Sequence, residues 1–285
     1  MMRVLLTGAT GYIGSAVLDH LIVAGHEVIA LVRSQTAATK AESAGARGVV
    51  GDVTDRAWLT QQLTDVDAAI HLAVLDPEAD DAVIKAVETS FGGTRKRFVY
   101  TSGIWSWGDG DDIAETDPYD PGDISAWRPE RVTRVTGGDY TGVAISPTVV
   151  YGRGGGMTAL VFSDQMKDES GALKLVGDGT QHWATVYVED LADLYVLAVE
   201  KAAGGNVYIG ASGHNPTVRE MAEAAVGTMG AVAPETPDDS RARFGPPFAD
   251  ALLLDEQAFG RKAQADLGWK PTGPDPLTVI RQAYQ

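Results

Sequence analysis

Short apolar runs alternate with amphipathic stretches along the first half of the chain. The apolar or β-branched runs cover residues 4–6, 27–32, 48–50, 68–72, 97–101 and 142–145. Between them, helical patterns cover residues 15–24, 36–44, 56–63, 80–91 and 125–135. This alternation is typical of an α/β fold in which parallel strands are joined by crossover helices. The pattern therefore predicts a doubly wound sheet of at least six parallel strands.

A glycine-rich turn follows the first apolar run and precedes the first helical stretch. Its glycines are spaced G-x-x-G-x-x-G. Glycines let the backbone approach a pyrophosphate closely, and the positive end of the following helix favours that charge. The turn therefore predicts a Rossmann-type dinucleotide clamp, although a tight turn that needs positive φ is a simpler interpretation of the glycines alone. The candidate cofactor-binding residues of this turn are Gly8, Thr10, Gly11, Tyr12, Ile13 and Gly14.

Polar residues follow the second and third apolar runs, where the adenosine half of a dinucleotide would lie. Arg33 lies about 20 residues beyond the glycines, where an NAD site usually carries an acid that holds the ribose 2′-hydroxyl. A guanidinium suits a 2′-phosphate instead, and Ser34 adds a donor, so NADP(H) is favoured over NAD(H). Asp52 and Val53 suit the amino group and the ring of adenine. A solvated strand end is the alternative interpretation of Arg33.

The pattern changes beyond Tyr151. A glycine-rich segment, short strand and helix patterns and a Pro/Asp-rich stretch follow, at residues 152–156, 174–176, 183–188, 189–201, 206–209, 218–229 and 233–239. We predict a Rossmann dinucleotide-binding domain over residues 1–151 and a smaller α+β substrate-binding lobe over residues 152–285, with the helix at 189–201 packed back on the first domain. The lobe should cover the carboxyl ends of the strands, where ligands bind in such folds.

Composition excludes several classes of function. The chain has 23 basic and 39 acidic residues, a formal net charge of −16, which disfavours nucleic acid and anionic membranes as partners. It has no cysteine, and its five histidines lack metal-ligand spacing, so we expect no metal site. Neither a signal peptide nor an apolar run long enough for a membrane span is found. We expect a cytoplasmic enzyme whose partner is a small-molecule substrate; a homodimer is compatible with the sequence.

Six segments together resemble one family. They are TGATGYIG (7–14), GDVTD (51–55), HLA (71–73), RFVYTSG (97–103), PTVVYG (147–152) and VYVEDLADLY (186–195). In combination they are similar to the extended and atypical short-chain dehydrogenase/reductases, often called NAD-dependent epimerase/dehydratases. The resemblance implies a Rossmann domain with a smaller substrate domain. Further candidate cofactor contacts are Leu72 and Ala73, Thr101, and Pro147, Thr148 and Val149, the last three beside the nicotinamide.

The residues that carry the family's chemistry are replaced in this chain. The resemblance implies a serine or threonine, a tyrosine and a lysine four residues after the tyrosine, but Gly103 falls in the serine position. No Tyr-x-x-x-Lys occurs between Glu115 and Val143, and the nearest counterpart places Trp127 and Arg131 in the two remaining positions. Indole and guanidinium groups do not exchange protons near neutral pH, so the usual proton relay is absent. Ser102, Trp127 and Arg131 are the candidate catalytic residues.

Aromatic and polar residues near the expected cleft are candidates for the substrate pocket. Trp105 and Trp107 could form an aromatic wall with Trp127, although core packing is the alternative for these indoles. The other substrate candidates are Tyr151, which also suits bracing of a turn, and His182 and Trp183.

Three functions fit these residues. The first is an NADP(H)-dependent oxidoreductase that transfers hydride to or from a small, largely apolar carbonyl- or imine-type substrate with a non-standard proton donor. A cationic iminium substrate would need no proton from the protein, and the acidic chain would attract it. The alternatives are a nucleotide-sugar-type epimerase or dehydratase that retains its cofactor, and a non-catalytic NADP-binding sensor or scaffold.

Overall fold

A seven-stranded parallel sheet with helices on both faces forms the centre of the computed structural model, which describes residues 1–284. The strands are β1 Arg3–Thr7, β2 Glu27–Val32, β3 Arg47–Val50, β4 Ala68–His71, β5 Arg97–Thr101, β6 Gly110–Ile113, β7 Thr141–Pro147, β8 Val149–Tyr151, β9 Leu173–Lys174, β10 Thr185–Tyr187, β11 Asn206–Gly210, β12 Val232–Ala233 and β13 Glu256–Ala258. The helices are α1 Tyr12–Val23, α2 Gln35–Ser43, α3 Arg56–Gln62, α4 Pro77–Phe91, α5 Arg128–Thr136, α6 Gly156–Val161, α7 Val188–Lys201, α8 Val218–Val226, α9 Pro237–Phe244, α10 Pro246–Leu252, α11 Arg261–Leu267 and α12 Pro276–Tyr284.

The strand order of the large sheet is β11-β7-β5-β4-β1-β2-β3, and every neighbouring pair is parallel. The chain therefore leaves β1 in one direction through β2 and β3, and returns to the other side of β1 for β4. Such a reversal opens a crevice at the carboxyl ends of the strands on either side of it. The predicted doubly wound α/β fold is confirmed, and its ligand crevice lies between β1 and β4.

The seventh strand corrects the expected division of the chain. β11 pairs with β7 in parallel, from Asn206 against Val143 to Gly210 against Pro147. This strand lies in the 152–285 part, which we had assigned wholly to the lobe, so a single boundary at residue 151 does not separate the sheet from the rest. The run is short and follows a long excursion of the chain, and neither feature indicates its partner. Helix α7 packs on α1 and the sheet, as expected for the helix at 189–201.

Alternating side chains of the strands supply a core on each face of the sheet. On β1, Val4 and Leu6 face the core beneath α1 and α7, whereas Leu5 faces the core beneath α3, α4 and α5. A strand buried on both faces reads as a continuous apolar run, which is why the sequence pattern predicted it.

A third core holds the smaller lobe together around Phe162, Trp183 and Met221. Three two-stranded pairs, β8 with β10, β9 with β12 and β6 with β13, join segments far apart in sequence. Within residues 1–284, no helix is long and apolar enough to cross a membrane.

Candidate active site

The glycine turn packs directly against the end of β4. Gly8 has a φ of +72°, and a Cβ atom there would lie 2.7 Å from the carbonyl carbon of Leu72 and 2.8 Å from the amide nitrogen of Ala73. A Cβ atom on Gly14 would lie 2.0 Å from the carbonyl oxygen of Gly8. Only glycine fits at these two positions, because backbone atoms fill the space on the side where a side chain would stand.

The first turn of α1 is left open for an anion. Gly11 precedes the helix and offers no side-chain cap, while its own amide donates to the Gly8 carbonyl at 2.9 Å. The N-terminal amides of a helix together with its dipole form an anion-binding site, so Tyr12, Ile13 and Gly14 suit a pyrophosphate. Lys40 of α2 adds a positive charge at the turn, since its Nζ lies 3.4 Å from the carbonyl oxygen of Thr10. The sequence pattern did not predict this residue.

The proposed adenosine end is exposed. Arg33 has no hydrogen bond or ion pair with any other residue of the described range 1–284. Ser34 caps α2, since its hydroxyl oxygen accepts from the Ala37 amide at 3.2 Å. That bond leaves the hydroxyl hydrogen of Ser34 available to a ligand.

Asp52 is partly engaged, whereas Val53 is available. One oxygen of Asp52 accepts from the amide and the hydroxyl of Thr54 at 2.8 and 2.7 Å. The hydroxyl bond and then the amide bond lower the pKa of Asp52, which is an ionised acceptor at neutral pH. Val53 is half-buried against the core beneath α3. The residues at this end can thus hold an adenosine phosphate.

A buried hydrogen-bonded chain supports the wall between β1 and α4. Thr7 Oγ1 accepts from the amides of Leu72 and Ala73 at 3.2 and 3.3 Å, so its hydrogen must point to His71 Nδ1, 2.7 Å away. His71 Nε2 then carries the proton and donates to Asp80 at 3.2 Å. The other oxygen of Asp80 accepts from the hydroxyl of Tyr100 at 2.8 Å. His71 is therefore a structural residue that fixes β4 beside the glycine turn.

A cavity of about 560 Å³ opens next to the turn at the carboxyl ends of the strands. Eight of the predicted cofactor-binding residues line it: Tyr12, Ile13, Leu72, Ala73, Thr101, Pro147, Thr148 and Val149. The remainder of the wall is mostly apolar and comprises Val74, Leu75, Ile104, Trp105, Ile124, Trp127, Val150 and Met157, with Asp80, Ser102, Gly103, Ser125, Arg128 and Gly156. Its size and apolar lining suit the nicotinamide half of a cofactor with a small substrate.

Ser102 differs from the other hydroxyl groups of this wall. Thr101 Oγ1 lies 2.8 Å from the hydroxyl of Tyr195, Thr148 Oγ1 donates to the Gly210 carbonyl at 2.8 Å, and Ser125 Oγ donates to the Trp105 carbonyl at 2.8 Å. Ser102 Oγ is buried and has no hydrogen-bond partner in the described part of the chain. A buried polar group without a partner is unfavourable, and a ligand that accepts a hydrogen bond from Ser102 would relieve this cost.

Helix α5 places the candidate catalytic residues differently from one another. Trp127 lines the cavity, but its indole N–H donates to the Ile124 carbonyl at 3.2 Å. Arg131 does not line the cavity. Its guanidinium donates to the Trp127 and Pro77 carbonyls and pairs with Asp81 at 2.9 Å. The candidate catalytic residue Arg131 is therefore held behind the indole and does not reach the cavity.

Arg128 occupies the place expected for Arg131. It lines the cavity, and its Nη1 donates to the Thr101 carbonyl at 3.2 Å while its guanidinium lies 4.4 Å from the centre of the Trp127 ring. Ile124, four residues earlier, also lines the cavity. Helix α5 begins at Arg128, three residues later than predicted, and residues 123–127 form turns. The four-residue interval that faces the cavity is thus Ile124 to Arg128, a pair missed because the sequence register was set by Trp127 and Arg131.

Only Trp105 among the five substrate candidates lines the cavity. Tyr151 is buried and donates to the Pro274 carbonyl at 2.7 Å, as its alternative role in bracing a turn requires. Trp183 is fully buried with its N–H on the Leu252 carbonyl at 3.0 Å. His182 pairs with Asp255 at 2.9 Å in the smaller lobe.

Trp107 also lies outside the cavity wall. Its ring packs 4.8 Å from that of Tyr119, centre to centre, in a separate small core with Ile104 and Ile113. Core packing is the alternative for the three indoles of the expected aromatic wall, and it describes Trp107. Trp107 therefore does not form part of that wall, whereas Trp105 and Trp127 line the cavity.

Within residues 1–284, no group of three or more histidine or acidic side chains could hold a metal ion. The cavity has one lining tyrosine, Tyr12, whose hydroxyl donates to the Gly152 carbonyl at 2.8 Å. Burial raises the pKa of Tyr12 far above its usual value, with smaller contributions from neighbouring tyrosines. Tyr12 is therefore a neutral structural donor at physiological pH.

Comparison with known proteins shows which family the chain belongs to. The model of the NAD dependent epimerase/dehydratase family matches residues 4–210. Uncharacterized protein YLL056C of Saccharomyces cerevisiae is 31% identical over 99% of both chains. A 4-hydroxy-2-methyl-3-oxo-4-farnesyl-3,4-dihydroquinoline-1-oxide ketoreductase of Stigmatella aurantiaca is 26% identical over 99% of this chain and 96% of its own.

A solved structure with the same fold is that of human epimerase family protein SDR39U1 (isoform 2) with NADPH. It superposes with a TM-score of 0.76 at 23% identity, over 99% of both chains. The family match covers the sheet from β1 to β11, including the glycine turn and every strand end that lines the cavity. On this evidence of sequence and fold, the chain belongs to the NAD(P)-dependent epimerase/dehydratase family, whose members also include reductases.

Proposed function

We propose that this protein is an NADP(H)-dependent reductase of a small, largely apolar carbonyl or imine compound. The observation that carries the proposal is the apolar cavity beside the glycine turn, which is lined by Ser102, a residue whose buried hydroxyl has no partner in the described part of the chain. A carbonyl oxygen or imine nitrogen would accept the hydrogen bond that this hydroxyl cannot make within the chain.

The residues present fit a phosphorylated dinucleotide. The turn from Gly8 to Gly14 would hold the pyrophosphate, since a Cβ atom at either glycine would meet backbone. Arg33 is free to bind a 2′-phosphate, and Lys40 lies on the next helix near Thr10. Two cations near this end, in a chain of net charge −16, favour a phosphate over a free hydroxyl at the ribose.

The chemistry divides between the cofactor and the wall. A bound NADPH supplies a hydride to the substrate carbon, and the oxygen or nitrogen that takes the π electrons is protonated. Ser102 would donate a hydrogen bond to that atom as it becomes negative in the low-dielectric cavity. Because the hydroxyl of Tyr12 is bonded to Gly152, we assign the proton to water rather than to a tyrosine.

The cofactor assignment is tested with Arg33→Ala. We expect NADPH affinity to fall about 30-fold while NADH affinity changes less than about twofold, because the lost partner is the 2′-phosphate. Isothermal titration of both cofactors measures this, with Arg47→Ala as a matched control for loss of an exposed arginine on the neighbouring strand. An equal loss of affinity for NADPH and NADH would show that Arg33 does not bind the 2′-phosphate.

The reaction is tested by following NADPH absorbance with paired ketones and cyclic imines. Consumption of NADPH with formation of the alcohol or amine supports reduction. A broad panel of both classes that leaves NADPH untouched in the presence of tight cofactor binding would contradict it.

The family description favours a retained-cofactor epimerase or dehydratase as a second candidate. The mostly apolar cavity offers one cation and few free polar groups to a sugar, which counts against it. Oxidised cofactor that stays bound through purification, with turnover of a nucleotide sugar, would support this candidate over the reductase.

A further inference from the structure

The three arginines of α5 are not equivalent. Arg131 pairs with Asp81 at 2.9 Å, and Arg134 forms a two-point ion pair with Glu88. Arg128 has no carboxylate within ion-pair distance among residues 1–284, and only its Nη1 is engaged, at 3.2 Å from the Thr101 carbonyl. A guanidinium carries five N–H donors, so most of those on Arg128 are unused.

Arg128 contacts the residue next to Ser102. Arg128 is bonded to the backbone of Thr101, and the next residue along the chain is Ser102, whose Oγ is buried without a partner. Both residues line the same cavity. A residue with a charged donor and a residue with a neutral donor therefore both line the cavity at the carboxyl end of β5.

The one carboxylate in the wall does not compensate Arg128. Asp80 accepts hydrogen bonds from His71 and Tyr100, and its Oδ2 lies 3.7 Å from Nε of Arg131. Its charge is thus satisfied from behind the wall. The positive charge of half-buried Arg128 therefore has no carboxylate partner among residues 1–284.

Arg128 is also held in an orientation suited to a planar anion. Its guanidinium lies over the Trp127 ring at 4.4 Å, which restricts the plane in which its N–H groups point. A fork of parallel donors matches the two oxygens of a carboxylate, and an apolar surround strengthens the pairing. The long-range field of a chain with net charge −16 opposes anions, so their binding here depends on this local cation.

We propose that the substrate is a 2-oxo acid whose carboxylate binds Arg128 while Ser102 donates to the adjacent carbonyl oxygen. The carboxylate and the carbonyl group are adjacent in a 2-oxo acid, and Arg128 and Ser102 both line the cavity wall. The proposal rests on the reductase function proposed above and specifies its substrate class. It replaces the cationic iminium expected from the charge of the chain, because Arg128 would repel a cation in the cavity.

The test compares 2-oxo-4-phenylbutanoate with its ethyl ester, which lacks the charge. For the wild-type protein we expect kcat/KM to be about 30-fold higher with the acid. Arg128→Gln should lower kcat/KM for the acid about 100-fold, mainly through KM, and change the value for the ester less than about threefold. Arg134→Gln is the matched control on the same helix and should leave kcat/KM unchanged for both the acid and the ester.

Binding measured without turnover separates this proposal from the reductase function. Quenching of tryptophan fluorescence reports acid binding to the complex of protein and NADP⁺, because Trp105 and Trp127 line the cavity. Acid binding that Arg128→Gln abolishes, without reduction of either compound, would support the carboxylate site and overturn the reductase. Equal binding of acid and ester would overturn the carboxylate site, as would an Arg128→Gln variant that loses NADPH affinity as strongly as it loses the acid.

Discussion

The two ends of the crevice are built by different means. At the glycine turn, backbone meets backbone: Gly8 lies against Leu72 and Ala73, and Gly14 against Gly8. At the other end, side chains from distant segments meet, with Ser102 after β5, Ile124 and Arg128 around the start of α5, and Met157 on α6. The main chain fixes the shape of the glycine turn, so this end suits one kind of ligand. Side chains determine the chemistry of the cavity, so substitutions can change which substrate it binds.

Hydrogen bonding shows the same contrast. Thr7 and His71 behind the glycine turn use all their polar atoms within the chain. In the cavity, Ser102 has no partner and Arg128 has one. Unsatisfied polar groups in a protein interior cost stability, and a ligand can complete the bonding of those that line a cavity. We infer that the cofactor end is preformed and that the substrate end is completed on binding.

The largest expected effect is at the preformed end. Gly14→Ala would place a methyl group 2.0 Å from the Gly8 carbonyl oxygen, which the turn can relieve only by moving away from the pyrophosphate position. We expect at least about a 100-fold loss of NADPH affinity, since about 3 kcal/mol of strain is typical of such backbone conflicts. Titration calorimetry measures it, and Gly122→Ala, where a Cβ meets no atom within 4 Å, is the control. Unchanged affinity in Gly14→Ala would contradict the clamp.

A smaller effect is expected from rebuilding the usual chemistry at the other end. Gly103 has an extended φ of −170°, and a Cβ atom there meets no atom within 4 Å, so a serine fits. Because Ile124 and Arg128 face the cavity, the double variant Gly103→Ser with Ile124→Tyr should place a proton donor beside the substrate. We expect kcat/KM for neutral ketones to rise about 100-fold, the usual contribution of general acid catalysis. NADPH consumption measures the gain.

The competing register supplies the comparison for that variant. Gly103→Ser with Trp127→Tyr and Arg131→Lys follows the spacing expected from the sequence, but Arg131 lies in an ion pair with Asp81 behind the indole. We expect this triple variant to gain no activity and to lose stability, because the shorter lysine breaks the bonds to Trp127 and Pro77. A gain of activity in the triple variant but not in the double variant would show that Trp127 and Arg131 occupy the family's tyrosine and lysine positions.

The sequence predicted the first end far better than the second. Gly8, Gly11 and Gly14 are contiguous with the strand and helix that give them meaning, so one local window indicates both the turn and its ligand. Leu72 and Ala73 follow the apolar run of β4, and the neighbouring strands of β4 are also apolar runs that the sequence pattern predicts. The doubly wound sheet was predictable for the same reason, and only β11 was missed as a member of it.

The substrate end depends on contacts that no local pattern contains. Trp183 and Tyr151 are buried and donate hydrogen bonds to the carbonyl groups of Leu252 and Pro274, far along the chain, so their types alone suggested a pocket that they do not line. Arg131 and Arg128 carry the same side chain, and the sequence alone does not show which of them faces the cavity. They differ in structure because Asp81 of α4 neutralises the first.

The smallest expected effect separates the stability of the substrate end from its function. Ser102→Ala removes a buried hydroxyl that has no partner, so the free protein should become more stable by about 1 kcal/mol, or about 2 °C in Tm. The same change should lower kcat/KM for a carbonyl substrate about tenfold, because the developing charge on oxygen loses a donor. Thermal unfolding with and without NADPH, together with initial rates, measures both. A variant that loses stability and keeps its rate would mean that Ser102 completes the wall rather than the bound state, and the contrast between the two ends would then fail.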